Sequence, residues 1–180
     1  MSTHDPAMPP QVADLLEKLE SHRRELLGVL GKMSEEEASR HPNGEWSAKQ
    51  QIAHLVQAEP AWLDWARTVQ DSPGAAVGQT PEEGQIFLEG VAEADAQPLA
   101  WWLEHFRQAR QETLRRLQSE FNLASEEALA RKGTHRTFGE MNVLQCLRAI
   151  YRHDRMHIDQ VMGREQSFAP RRADGQRQAM

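Results

Sequence analysis

Leucine and valine recur at intervals of three, four and seven along long stretches of the chain, and almost nowhere do apolar and polar residues alternate. An α-helix turns once every 3.6 residues, so this spacing lines one helix face, whereas a half-buried strand needs a period of two. The first stretch, Gln11 to Gly31, carries Val12, Leu15, Leu16, Leu19, Leu26, Leu27 and Leu30 behind the rigid pair Pro9-Pro10. The second opens at Ser47, which has Gln50 three positions on in capping-box spacing, and continues through Ile52, Leu55, Val56, Trp62 and Leu63 towards Asp71. Pro60 is expected to kink it. The third runs from Pro98 to Glu120 through Leu99, Trp102, Leu103, Phe106, Leu114 and Leu117. The fourth is expected to start after "THRTFGE", where Thr137 and Glu140 have capping-box spacing, and to end near Met162. Short helical turns are expected at "SEEEASR", "IFLEGVAEA" and "SEEALAR", and no strand is predicted.

Four long amphipathic helices predict an all-α fold, a four-helix bundle. A helix of ~22 residues is about 33 Å long, so a parallel neighbour needs a return path of similar reach. The stretch from Ser72 to Gln97 supplies one between helices two and three, which predicts a long crossover and an up-down-down-up order. A single domain over residues 9–163 is expected, followed by a polar, flexible tail at 164–180.

Composition narrows the function classes. The net charge of −6 argues against a phosphate-binding surface and hence against nucleic-acid partners. No apolar run approaches the ~20 residues that cross a bilayer, and "MSTHDPAMPPQ" has no signal-peptide pattern, so no membrane partner is expected. One cysteine, Cys146, excludes an internal disulfide and suits a cytoplasmic location. Glycine-rich phosphate loops, nucleophile elbows and paired-cysteine motifs are missing from the sequence.

The chemistry-bearing residues are histidines. "YRHDRMHIDQV" puts His153 and His157 at i and i+4, on one helix face, with Cβ atoms about 5–6 Å apart. Such a pair suits two imidazoles meeting one ion, yet alone it is weak evidence in a chain with eight histidines. His54 changes the balance. It lies about 10 Å into helix two, and His157 about 9 Å before the end of helix four, so an antiparallel arrangement brings them level. Apolar neighbours flank all three, and unpartnered inward histidines are costly, so a metal is the economical partner.

The segments "EWSAKQQIAHLVQAE" and "TFGEMNVLQCLRAIYRHDRMHIDQV" resemble the DinB/YfiT-like superfamily of metal-dependent four-helix-bundle proteins. The resemblance implies that His54, His153 and His157 bind a divalent transition metal, zinc or nickel first, iron or manganese as alternatives. It also implies a substrate pocket at the metal end of the bundle, bounded here by Trp46, the connector from His41 to Asn43 and the end of helix four. Members using bacillithiol or mycothiol imply transfer of a low-molecular-weight thiol to a small electrophilic substrate. A metal-dependent hydrolase and a non-catalytic metal- or ligand-binding stress-response protein are the alternatives. A homodimer is compatible with such bundles, without an identified interface.

No catalytic side chain is identified; the reacting group is expected to be a water or thiol on the ion. Gln160, three positions after His157, is a candidate partner of a ligand. His22 reads as a core histidine with its own partner before a supporting role at the metal. Cys146 reads as core packing. His105 and His135 read as solvated or loop histidines, and neither Glu59 nor Asp154 is clearly aimed inward.

Overall fold

The computed structural model describes residues 8–168. Its four long helices are α1 (Pro10–Leu30), α3 (Ala48–Asp71), α5 (Leu99–Glu120) and α7 (Val143–Val161); α2 (Glu35–Ala38), α4 (Pro81–Ala92) and α6 (Glu126–Ala130) are short connectors. Ser47 and Gln50 form the capping box that starts α3, satisfying amides that the first helical turn leaves free. Thr80 with Glu83 does the same for α4. Helix α3 continues through Pro60 to Asp71.

Cross-helix contacts give the directions. Gln51 and His54 near the start of α3 meet His157 near the end of α7. Arg67 and Gln70 near the end of α3 donate to the Glu120 carbonyl at the end of α5, and Glu59 pairs with Arg110 midway. Helix α1 meets α5 head to tail through Arg23 on the Phe106 carbonyl and Arg110 on the Leu19 carbonyl. It runs alongside α7, His22 meeting Tyr151 and Glu25 meeting Arg155.

Two apolar clusters fill the bundle. One contains Val12, Leu15, Leu19, Leu63, Leu117 and Leu147; the other contains Leu26, Leu30, Ile52, Leu55, Phe106 and Ile158. Each fully buried side chain of this size contributes about 1.5–3 kcal/mol. On α1, Arg23 falls between the two sets, where it joins Glu59, Arg110 and Asp154 in a buried ionic quartet. Glu59 and Asp154, given no clear inward aim by the sequence, are therefore turned into the core, 3% and 1% exposed. The partners that draw them inward come from α1 and α5, beyond the reach of local spacing.

The structure corrects two further expectations. Three short strands are present, β1 (Ala76–Val77), β2 (Lys132–His135) and β3 (Gly139–Asn142), β1 parallel to β2 and β2 antiparallel to β3. Thr137 and Glu140, expected to cap helix four, instead lie in the β2–β3 hairpin: residues 136–138 form its turn and β3 begins at Gly139, at φ 76°. Asn142 and Gln145 form the true capping box of α7. Strand β2 lies directly on α3: a Cβ on Gly133 would come within 2.5 Å of Val69. Only glycine permits that approach.

Residues 164–168, placed by the sequence in a flexible tail, pack back on α7. Ser167 bonds Asp159 through its amide and hydroxyl at 2.9 and 2.6 Å, and Phe168 lies under the Arg152 guanidinium. The rest of that expected tail, 169–180, lies outside the described residues.

Candidate metal centre and its cavity

Helix α3 supplies His54 and helix α7 supplies His153 and His157, and one ring nitrogen from each lies within 4.8 Å of the other two. The Nε2 atoms of His54 and His153 approach to 2.6 Å. The Nε2 of His157 is buried with no hydrogen-bond partner. The ring centroids stand 4.5 to 5.1 Å apart at interplanar angles of 50 to 89°, so the three imidazoles are tilted or perpendicular to one another instead of stacked.

Gln51 sets the protonation of His157. Its Nε2 donates to the Trp46 carbonyl at 3.3 Å, which turns its Oε1 towards His157 Nδ1 at 3.1 Å. Nδ1 must then carry the proton and donate it, leaving the Nε2 lone pair bare at the convergence point. Burial, reinforced by the neighbouring imidazoles, holds His54 and His157 well below the usual histidine range, and burial pushes His153 down to about 4. Three neutral imidazoles with facing lone pairs suit a divalent transition metal. The donor set fits zinc or nickel and leaves a coordination position open.

A cavity of about 380 Å³ adjoins the cluster, with His54 and His153 in its wall and His157 behind them. The remaining wall is mainly aromatic and aliphatic, including Trp62, Trp65, Phe87, Phe138 and Met156. Phe87 of α4 covers His54 edge-on at 4.9 Å, and Trp46 packs against its ring at 5.1 Å.

The family model of the DinB superfamily matches residues 5–161. The chain belongs to the DinB superfamily. Among solved structures, YfiT from Bacillus subtilis, described as a probable metal-dependent hydrolase with an unusual four-helix bundle topology, is similar at TM-score 0.69 and 14% identity. The match covers 92% of this chain and 95% of that one. A mycothiol-dependent maleylpyruvate isomerase is similar at TM-score 0.60 and 16% identity over 83% of this chain, which spans 60% of that protein. A histidine-to-alanine variant of that isomerase gives TM-score 0.57 at 18% identity, with the same coverage. These identities establish a shared fold. No curated protein matches significantly.

In this DinB chain the cavity is not bounded as the resemblance implied. Trp46 and the His41–Asn43 connector are absent from its wall, which is built from α3, α7, the hairpin, Phe87 of α4, Gln79 and Phe168. The connector is occupied elsewhere: His41 Nε2 lies 2.8 Å from Asp95, which also accepts from Ser47.

His135, expected to be solvated or in a loop, instead ends strand β2, is 4% exposed and stacks on Trp62 at 5.2 Å. Its Nδ1 accepts from the amides of Thr137 and Phe138, and burial lowers its pKa to about 4, so it is a neutral wall of the cavity. Within β2, burial alternates and brings Gly133 and His135 inward, but four residues are too few to reveal that from sequence. His105 stacks on exposed Trp101.

His22 has its own partner, the Tyr151 carbonyl 3.0 Å from Nδ1, and lies outside the three-histidine cluster. Gln160 offsets a small part of the burial that holds His157 well below the usual histidine range, while its Oε1 is buried without a hydrogen-bond partner. The residue missed by sequence reasoning is Gln51, three positions before His54 and so on the same helix face. Cys146 is fully buried, which pushes its thiol up to about 12 and leaves it inert.

Neither buried acid is free to act as a base. Burial alone would raise the Glu59 carboxyl, but Arg23 and Arg110 hold it down to about 2. Thr113 donates to it as well, at 2.5 Å. Asp154 lies 3.0 Å from Arg23 and 2.8 Å from Arg110.

Proposed function

We infer that this DinB-superfamily protein is a metal-dependent enzyme that holds one divalent transition metal on His54, His153 and His157 and transfers a small thiol to an electrophilic substrate. The observation that carries the reading is the buried, partnerless Nε2 of His157 at the meeting point of three imidazoles, beside a cavity that takes a small molecule. Bound there, a divalent ion supplies Lewis acidity that brings a thiol or water towards deprotonation near neutral pH.

The chain's own residues do the rest. Gln51 holds the proton on His157 Nδ1 and so keeps the Nε2 lone pair available. Trp62, Phe87 and Phe138 exclude water and hold the apolar body of the substrate. Among the described residues the only carboxylate on the cavity wall is Glu140, which Lys132 holds at 2.7 Å. With no free base in the wall, a thiol is favoured over water as nucleophile. An ordinary thiol loses its proton near pH 8.5, whereas free water needs about seven further units.

The test is metal analysis of the purified protein beside His153→Ala, with both preparations assayed for thiol conjugation against a panel of electrophiles. One equivalent of metal in the parent, its loss in the variant and thiol-dependent turnover in the parent alone are expected. Equal metal in both removes the site. Metal without thiol-dependent turnover removes the transferase reading and moves weight to hydrolysis or to binding without catalysis.

A further inference from the structure

Arg152 is the one arginine or lysine in the mainly apolar wall of the cavity beside the histidines, where Glu140 is already held by Lys132. Arg152, immediately before His153 on α7, is half-buried there, its guanidinium 5.2 Å over the ring of Phe168 and 5.9 Å from that of Tyr151. Among the described residues no carboxylate lies within ion-pairing distance of it. Nearby acids are engaged elsewhere: Asp159 and Glu25 with Arg155, Asp154 within the buried quartet, Glu140 with Lys132. A guanidinium flanked by rings has part of its hydration replaced by apolar surface, and its planar fork matches the two oxygens of a carboxylate.

We propose that Arg152 is the specificity residue of this cavity, pairing the carboxylate of a small acid whose flat apolar body lies against Trp62 and Phe138. Held this way, the acid presents its other end to His54 and His153, which share the same wall. The assignment names a substrate class for the thiol-transfer reading and rests on that reading for the reaction at the far end. Recognition itself requires no ion. The carboxylate belongs either to the electrophile or to the thiol, and pairs with the same guanidinium in both cases.

Binding of trans-cinnamate and trans-cinnamamide, alike in body and differing in charge, separates charge recognition from apolar packing. Both are titrated into chelator-treated, metal-free protein, with Trp62 and Trp65 in the cavity wall reporting by fluorescence. A charge-assisted pair predicts that the parent binds the acid about tenfold more tightly than the amide. Arg152→Gln removes that preference, and Arg152→Lys keeps part of it because a point cation remains. Melting temperatures of both variants separate lost recognition from lost fold. Equal affinities in the parent overturn the proposal, as does a preference that survives in Arg152→Gln. A preference that appears only after metal is restored places the carboxylate on the ion, so the proposal falls while the metal site stands. Discrimination in metal-free protein that never takes up metal supports Arg152 and removes the metal reading instead. Repeating the comparison with a carboxylate-bearing thiol and its amide tells which reactant carries the acid.

Discussion

Lowering the pH separates buried histidines from ordinary ones at the candidate metal centre. An imidazole must be neutral to ligate a metal, so protons compete with it. At an ordinary pKa of 6.5 each ring is about 90% neutral at pH 7.5 and about 24% at pH 6, so three rings together would lose about 50-fold in affinity. Burial pushes His153 to about 4 and holds His54 and His157 well below the usual value. All three then stay neutral across that interval, and the predicted loss is less than about twofold. Zinc competition against a chromophoric chelator at the two pH values, with the chelator's own titration subtracted, measures the ratio. A loss near 50-fold would refute the argument, because it would mean that the rings titrate as if solvated. The same shifts act on folding. Below pH 6.5 the unfolded chain takes up protons that the metal-free fold refuses, so its stability falls as pH drops towards 4. For His153, which burial pushes to about 4, this amounts to at most about 1.4 kcal/mol per pH unit in that window.

Glu59→Gln leaves Arg23 and Arg110 to share Asp154 alone, and breaking a buried ionic network this way is expected to cost about 3–5 kcal/mol in urea unfolding. In the parent, the stabilisation from the Glu59 carboxylate is present above pH 4.5 and lost as pH falls towards 2, which an acid titration of stability reads directly. Gln51→Leu removes the acceptor of His157 Nδ1 and should weaken metal binding about 10- to 100-fold by the same competition assay. A variant that binds as tightly as the parent would show that the tautomer of His157 is held by something else.

Much of the bundle could be read from local pattern because each long helix repeats its signal over several turns. Helix α3 is the clearest case: its start was visible in the Ser47–Gln50 box and its buried face in Ile52, Leu55 and Leu63. The start of α7 was not, since Thr137–Glu140 and Asn142–Gln145 both have the residue spacing of a cap. Pairing of Gly133 with Met141 and of Thr134 with Glu140 commits the first candidate to a hairpin and leaves the second to begin the helix.

Sequence by itself determined the helical class, the i, i+4 placement of His153 and His157, and the presence of a third histidine, His54, at a level where the three can meet. The first two are properties of short-range periodicity, which one stretch of chain carries alone; the level of His54 followed from helix lengths and the long crossover. Only the tertiary structure decided that Gln51 bonds His157, that Glu59 and Asp154 are bound by two arginines, and that His135 walls a cavity alongside Arg152. Each of these joins residues from different elements, and which polar groups pair in the core depends on the packing of all the helices at once.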